Sequence, residues 1–324
     1  FMTGGEICMA KYIIKRIGYM IITLWVVATI TFVLINAIPG DPISASAGKV
    51  LDKKVAAEIM KKYQLDQPEY VRYGTYIKNL VHGDLGMSIH YPGQKVNDII
   101  SKEFPVSLRL ALQAVGIGII FGITLGIIAA FKRNTWVDYT VIFIALIGVC
   151  VPGFVLAILL QYGLGAKFGL KIAGWSDSSL FNIYRYSLLP SIALAMAGLA
   201  SNARFMRTSV LEVINQDYVL TAKSKGVGKL SLVWKHIIRN AILPVVTMIG
   251  PRIAYVITGS LVVESIFSVP GLGRELVSAI SNRDYTVVMS LTVFFAFLYI
   301  VSLLIVDIVY VLVDPRIKLT QRKG

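Results

Sequence analysis

The stretch nearest to a catalytic motif is residues 226–229, GVGK, because a lysine after closely spaced glycines is typical of a phosphate-binding loop. Such a loop needs another glycine where Lys223 stands. It also needs a serine or threonine, to hold magnesium, where Leu230 stands. The chain has no other glycine-rich phosphate cradle and no nucleophile elbow. The sequence therefore predicts no catalytic residue, and the energy for any work must come from elsewhere.

Metal and redox chemistry are poorly supported, because the residues that such sites need are few and far apart. The two cysteines, Cys8 and Cys150, supply neither a disulfide framework nor a cysteine-based zinc site. The three histidines, His82, His90 and His236, are too scattered to suggest a metal site. We expect no metal and no cofactor on this chain.

Composition indicates an integral membrane protein. Of 324 residues, 56% are hydrophobic and 15% are charged, and the mean hydropathy is +0.71. A soluble fold of this size cannot bury so much apolar surface, whereas a bilayer accepts it. The net charge of +14 is gathered at the ends of apolar segments, so it does not indicate a nucleic-acid partner.

The apolar segments predict an all-α fold with six transmembrane helices, since about 20 helical residues cross the bilayer hydrocarbon. The predicted spans are residues 18–38, 106–131, 137–164, 188–203, 242–266 and 287–313. The fourth is short and closes at Arg204. Pro152 in the third span, and Pro244 and Pro251 in the fifth, permit kinks because they free backbone carbonyls.

Gly118, Gly122 and Gly126 recur every four residues on the second predicted span. Small residues in such a stripe let a neighbouring helix approach closely. We expect the stripe to serve packing within the chain rather than a seam between subunits.

Ionisable groups inside the predicted spans are sparse. Arg109 and Asp307 lie near span ends, where they can reach the interface. Arg252 lies near the middle of the fifth span, and Glu264 is about 18 Å of helix farther along, so the two cannot pair within one straight helix. A proton or ion relay needs several groups at matching depths, and only Arg252 is deep. This pattern argues against an ion-coupled mechanism.

The placement of lysine and arginine predicts that both termini face the cytoplasm. With the N-terminus inside, the inner segments carry sixteen basic residues against five acidic ones. The short outer loops carry five basic residues. The long first outer loop carries more, but long loops translocate largely regardless of their charge.

That first outer loop, residues 41–105, has the pattern of a small subdomain. Apolar residues recur at helical spacing between residues 51 and 63. A second helix is predicted to start at Asp66, with Pro68 in its first turn and Glu69 three residues beyond the cap. The loop is either a solvated cap without a binding role or a platform for an external partner.

The inner loop between the fourth and fifth spans, residues 204–240, also has a helical pattern. Apolar residues predict short helices over residues 210–214 and 218–222, with a glycine turn at Gly226. One interpretation is an amphipathic hairpin that lies on lipid headgroups. The other is a docking surface for a protein, and periodicity does not separate the two.

Residues 217–226, DYVLTAKSKG, followed by a Leu-Pro pair at 243–244, resemble the cytoplasmic "EAA" loop of bacterial ABC-importer permeases in its peptide-importer version. The matching residues are Asp217, Tyr218, Ala222, Lys223, Lys225 and Gly226. The chain departs from the general loop pattern at the glutamate position, which holds Leu220, and in a Leu-Pro pair that is farther from the glycine.

Further resemblances to the oligopeptide and dipeptide permeases, and to the first of the two permeases in such importers, cover nearly the whole chain. They are PGDP at 39–42, GDLGMS at 83–88, VESIFSVPGLG at 263–273 with RDY at 283–285, and Asp307 and Tyr310 with DPR at 314–316. The six-span plan with a large first outer loop is similar as well.

The resemblance implies that the inner loop docks in a groove on an ATPase and transmits its motion to the spans. The implied contact residues are Asp217, Tyr218, Ala222, Lys223, Lys225, Gly226, Val227, Gly228 and Lys229. The implied partners are a second related permease, two ATPase subunits that bind ATP and magnesium, and an extracellular or periplasmic peptide-binding protein. The implied location is the bacterial inner or cytoplasmic membrane.

The implied organisation has four parts. They are an N-terminal segment with the first span (1–40), an extracytoplasmic subdomain (41–105), a permease core with five spans and the coupling loop 204–240 (106–313), and a cytoplasmic tail (314–324). Two alternatives stay open. The same architecture serves nickel, glutathione or antimicrobial-peptide cargo. An ion-coupled secondary transporter needs titratable intramembrane groups or an inverted repeat, and neither is clear here.

Overall fold

The computed structural model describes residues 4–38, 60 and 66–313, and the regular structure in these ranges is helical. The main helices are α1 (Gly4–Ala37), α2 (Glu69–Val81), α3 (Val96–Phe131), α4 (Trp136–Cys150), α5 (Gly153–Leu160), α6 (Leu180–Ile214), α7 (Asp217–Ser224), α8 (Leu243–Gly259), α9 (Leu261–Ile266), α10 (Leu272–Ser281) and α11 (Tyr285–Val313). Gln161–Gly165 and Leu232–Ile238 form wider π-helical turns. In the described ranges no strand is present, only an isolated bridge between Met87 and Lys95. The predicted all-α fold is confirmed for this part of the chain.

Four helices are long and apolar enough to cross a membrane within the described residues. They are Ile14–Ala37, Val96–Phe131, Phe181–Ile214 and Tyr285–Asp307. A fifth results if the bent pair Trp136–Cys150 and Gly153–Gly165 is one span. The predicted fifth span is divided between α8, of 17 residues, and α9, with Ser260 at the break. A count of six spans therefore stays a prediction.

The break in the third predicted span lies at Pro152, as expected, but it is far sharper than a kink. The helices on either side of it are bent by 109°. Val151 and Pro152 both have extended backbone, with ψ of 122° and 138°. A residue before proline is disfavoured in the α region, and proline has no N–H to continue the helical bonds. Pro244, by contrast, lies in the first turn of α8 and starts that helix.

Two predicted helix boundaries are wrong. The helix of the fourth predicted span does not end at Arg204, because α6 continues without a break to Ile214. The helix predicted to start at Asp66 starts at Glu69, with Pro68 as its N-cap and no side-chain cap hydrogen bond. The predicted features at 39–42, 51–59, 61–63 and 314–324 lie outside the described residues.

The chain forms two compact units, which are described separately: Phe1–Pro105 with Gly271–Gly324, and Val106–Pro270. In the first unit, α1 packs along α11, and Arg16 pairs with Asp307 at 2.8 Å. The Thr29 and Tyr73 hydroxyls are hydrogen-bonded at 2.7 Å. The Phe32 ring lies 5.3 Å from that of Tyr73, so α2 is held against the end of α1.

Two motifs about 200 residues apart in sequence meet in this unit. The buried carboxylate of Asp284 accepts hydrogen bonds from the Ser88 hydroxyl and, at 3.0 Å, from the backbone N–H of His90. The Ser290 hydroxyl donates to the carbonyl of Leu85 at 2.7 Å. The GDLGMS and RDY stretches therefore form one hydrogen-bonded structure, which gives both a structural role.

In the second unit, the glycine stripe of α3 packs against α6, as predicted. A Cβ on Gly122 would lie 2.8 Å from the carbonyl oxygen of Leu199, and one on Gly126 would lie 2.5 Å from that of Ala203. The Asn202 amide donates to the carbonyl of Gly118 at 3.0 Å. Larger side chains would separate these helices, so the stripe serves packing within the chain.

Candidate functional site

The inner loop 204–240 is built as an extension of α6 followed by short helices. The last turns of α6 carry the chain past the predicted span end to Ile214, and α7 begins three residues later at Asp217. After α7 come Lys229–Ser231 and the π-helical turn Leu232–Ile238. The helical pattern predicted for the loop is therefore present, although its first helix is the continuation of a span.

The inner face of α7 is fixed to the body of the unit. Val219 and Ala222, one turn apart, are 3% and 7% exposed. Val219 belongs to a buried apolar cluster with Ala130, Met206, Val210, Ile237, Ile238, Ala241 and Val245. Burial of this kind contributes about 25 cal/mol for each Å² of apolar surface removed from water, so α7 is held against the helices beneath it.

The C-terminus of α7 is closed by a Schellman motif around Gly226. The N–H of Val227 donates to the carbonyl of Ala222 at 3.2 Å, and that of Gly226 donates to the carbonyl of Lys223 at 3.1 Å. Gly226 has φ +75°, a left-handed conformation that glycine adopts without steric cost. This geometry explains why the sequence needs a glycine here.

The outer face of α7 is open to a partner. Tyr218 is 43% exposed and Leu220 is 52% exposed. The other predicted contact residues that lie exposed are Asp217, Lys223, Lys225, Gly226, Gly228 and Lys229, and Val227 is half-buried. Leu230 and Trp234, beyond the glycine turn, are 76% and 61% exposed. The exposed residues of this part of the loop thus include large apolar side chains and three lysines.

Ala222 is the one predicted contact residue that the structure buries. It faces the unit's own interior and offers no surface to a partner. The exposed apolar residues Leu220, Leu230 and Trp234 were absent from the predicted contact set. For Leu220 the signal in the sequence is a large apolar side chain at a position of α7 that the Val219–Ala222 spacing leaves on the opposite face.

A buried ion pair anchors α6 just before the loop. Arg207 donates to both carboxylate oxygens of Asp138 on α4, at 2.6 and 2.8 Å, and the backbone N–H of Asn134 donates to the same carboxylate at 3.0 Å. The Asp138 side chain is 1% exposed. Bidentate pairing fixes the guanidinium orientation, so α4 and the base of the loop are held together.

The site has no arrangement suited to catalysis or to a metal. The described residues contain no group of three or more His, Cys, Asp or Glu that could hold a metal ion. The GVGK stretch forms the end of one helix and the start of the next, with Gly228 as the N-cap of Lys229–Ser231. The arrangement is able to transmit a displacement, because its inner face is packed and its outer face is free.

Comparison with known sequences identifies one family. Residues 122–319 match the sequence model described as binding-protein-dependent transport system inner membrane component, and residues 9–111 match the model of its N-terminal region. The chain is 41% identical over 318 residues to the dipeptide transport system permease protein DppB of Bacillus subtilis, with 98% of this chain and 100% of the relative covered. It is 38% identical over 311 residues to the oligopeptide transport system permease protein OppB of Escherichia coli K12, with 96% and 100% covered.

A solved structure shares the fold. An amino acid ABC transporter crystallised with histidines superposes with a TM-score of 0.51 at 18% sequence identity. The match covers 68% of this chain and 94% of that one. At this identity the likeness concerns the fold alone.

Proposed function

Because this chain belongs to the family of binding-protein-dependent transport system inner membrane components, we propose that it is a permease subunit of an ATP-driven peptide importer. It is a multi-pass membrane protein and a transport subunit rather than an enzyme. Its relatives at 38–41% identity are named for dipeptide and oligopeptide transport, which favours peptide cargo over nickel, glutathione or antimicrobial peptides.

The proposed assembly contains this chain, a second related permease, two ATPase subunits and an external peptide-binding protein. ATP and magnesium bind the ATPase subunits. The loop 204–240 and both termini face the cytoplasm, in agreement with the distribution of lysine and arginine. The two permeases enclose the passage, and the binding protein delivers peptide from the outer side.

The observation that carries the proposal is the two-sided construction of α7. Its inner residues, Val219 and Ala222, are packed into the unit, and its outer residues, Tyr218 and Leu220, are exposed. A helix that the ATPase displaces through its outer face takes the helices beneath it along. ATP binding shifts the equilibrium between the outward-facing and inward-facing permease. The size of the shift is set by how much more tightly the ATPase pair binds one state than the other.

The test is association of this permease with its ATPase subunits. We expect Tyr218→Ala with Leu220→Glu to reduce co-purification of the ATPases about tenfold, because interface aromatics and buried apolar contacts carry much of the binding energy. Tyr184→Ala, at a 59% exposed tyrosine near the start of α6, is the matched control.

The outcomes separate the two interpretations of the loop. Reduced association with normal membrane insertion supports docking. Unchanged association contradicts it and favours a hairpin that lies on lipid headgroups. A separate measurement tests whether the cargo is a peptide: ATP-dependent uptake of a labelled peptide by the complete importer.

A further inference from the structure

Arg252 is an arginine without an anion in the middle of the second unit. Within the described part of the chain, its guanidinium makes no ion pair, and its buried Nη1 has no hydrogen-bond partner. Arg16 and Arg207, which lie in helices long enough to cross a membrane, are both paired with aspartate. Unlike those two, Arg252 has no ion-pair partner within the described residues.

Arg252 packs at the level of the middle of a long apolar helix. A Cβ on Gly198 would lie 3.1 Å from Nη1 of Arg252 and 3.4 Å from its Cδ, so the arginine stem lies where Gly198 has no side chain. Gly198 is midway along Phe181–Ile214, one of the helices long and apolar enough to span. A charge at this depth is costly, and ionisable groups are kept there mainly for function.

A small cavity of about 30 Å³ adjoins the guanidinium. Arg252 and Tyr255 are its polar side chains, and the rest of the lining is alanine, glycine, valine and leucine. A cavity of this size holds one water molecule, which is enough to solvate Nη1 but supplies no charge. A carboxylate brought by an external group would therefore be the first ion-pair partner of this guanidinium among the described contacts.

The face of α8 around Arg252 is accessible to such a group. Met248, one turn earlier, is 41% exposed, and Tyr255, one turn later, is 69% exposed. Methionine adapts its shape to different contacts, and tyrosine offers an apolar ring with a polar end. Peptides differ in their side chains but share a terminal carboxylate. A fixed cation at Arg252 can bind that shared group, while Met248 and Tyr255 can contact different peptide side chains.

We propose that Arg252 binds the terminal carboxylate of the peptide as it crosses the membrane, which rests on the proposed function. Nη1 is buried against Gly198, which fixes the guanidinium. The edge left for a carboxylate is the fork formed by Nε and Nη2, which can donate two parallel hydrogen bonds. Arg252 is then a specificity-determining residue that distinguishes free peptides from C-terminally blocked ones during translocation.

The experiment compares two substrates in the complete importer reconstituted in liposomes. One is a labelled peptide with a free C-terminus, and the other is the same peptide with an amide in its place, each at saturating concentration. The measured quantity is the ratio of their uptake rates. The binding protein contributes equally to this ratio in every variant, so differences between variants report on the permease.

We expect Arg252→Gln to lower the ratio of free to amidated peptide about tenfold, the discrimination that a charge-assisted hydrogen bond supplies. Arg252→Lys keeps the charge without the fork and should lower the ratio less. Arg109→Gln is the matched control, because Arg109 is exposed and pairs with Asp177, and its ratio should equal that of the unmodified importer.

The remaining outcomes overturn the proposal. An unchanged ratio in Arg252→Gln, or in Arg252→Met if the glutamine variant does not assemble, means that the cargo does not use this group. Loss of assembly in the Gln, Met and Lys variants alike assigns Arg252 to a carboxylate of the second permease. If the unmodified importer takes up neither peptide, the proposed function itself fails, which is a separate result.

Discussion

At the residue scale, Gly226 is constrained by its backbone angle and not by space. No atom lies within 4 Å of a Cβ built at this position, yet its φ of +75° is one that side-chain-bearing residues rarely adopt. The Schellman hydrogen bonds that close α7 depend on this angle. A substitution here therefore acts by straining the helix end.

Gly226→Val should reduce coupling of ATP hydrolysis to uptake while leaving the spans inserted. A left-handed conformation costs an L-residue about 1–2 kcal/mol, and a β-branched residue is the least suited to it. The measurement is peptide uptake per ATP hydrolysed in the reconstituted importer. Gly226→Asn is the control, because asparagine tolerates this conformation, and it should stay near the unmodified ratio. If Gly226→Val and Gly226→Asn gave the same uptake per ATP hydrolysed, the effect would not come from the backbone conformation at this position.

Glu275 on α10 gives the first unit a pH-dependent contribution to stability. Burial raises the pKa of its carboxyl above the ordinary 4.5, and the Asp284 carboxylate raises it further, whereas Arg274 and His90 act to lower it. The folded state therefore binds the proton more tightly than the unfolded chain. The free energy of unfolding falls as pH rises from about 4.5 through the raised pKa.

Glu275→Gln should consequently be more stable than the unmodified protein at pH 7.5, with a difference that shrinks towards pH 5. Thermal unfolding of the detergent-purified protein at several pH values measures this. A difference that does not vary with pH would show that the substitution acts through packing and not through ionisation.

At the element scale, the Arg207–Asp138 pair joins α6 to α4 at the start of the loop 204–240. Its carboxylate is buried and accepts three hydrogen bonds, from two nitrogens of Arg207 and the N–H of Asn134. The Arg109–Asp177 pair in the same unit is exposed, with side chains 42% and 61% accessible. Exposed pairs contribute little to stability, whereas a buried charge deprived of its partner is strongly destabilising.

Asp138→Asn should lower the free energy of unfolding by about 2–3 kcal/mol, because Arg207 loses its counter-ion in a largely buried site. Asp177→Asn should cost less than about 1 kcal/mol. The comparison is made by thermal unfolding in detergent at two salt concentrations. A comparable loss in both variants would mean that the buried pair has no special role.

At the scale of the whole molecule, orientation in the membrane decides which partner each surface meets. The loop 204–240 carries Lys223, Lys225 and Lys229 on its exposed side, and a cytoplasmic position brings them to the ATPase subunits. The opposite orientation would present the same lysines to the external binding protein.

Lys229→Cys, on a background without Cys8 and Cys150, should resist a membrane-impermeant thiol reagent in intact cells and react after permeabilisation. Lys229 is exposed, so slow labelling in intact cells reports the membrane barrier and not burial. A cysteine at Lys171, in a predicted outer loop and also exposed, is the positive control. Rapid labelling at position 229 in intact cells would reverse the proposed topology.

The sequence by itself determined the features that depend on local composition. Hydropathy summed over about 20 residues establishes the membrane class. The Gly118, Gly122 and Gly126 stripe predicted close helix packing, Pro152 predicted a kink, and Gly226 predicted a turn, because each residue type has a backbone property that does not depend on distant contacts. The resemblance added the family, through motifs spread along the chain.

The tertiary structure decided which residues are free to act. Ala222 is buried because Val219 beside it packs with Met206 and Ile237, which local periodicity does not bring together. Asp284 accepts a hydrogen bond from Ser88, some 200 residues away in sequence. Where α6 extends past Arg204, Met206 and Val210 are buried in an apolar cluster. Among the described residues Arg252 pairs with no carboxylate. Pairing depends on which helices meet, and packing decides that, not spacing along the chain.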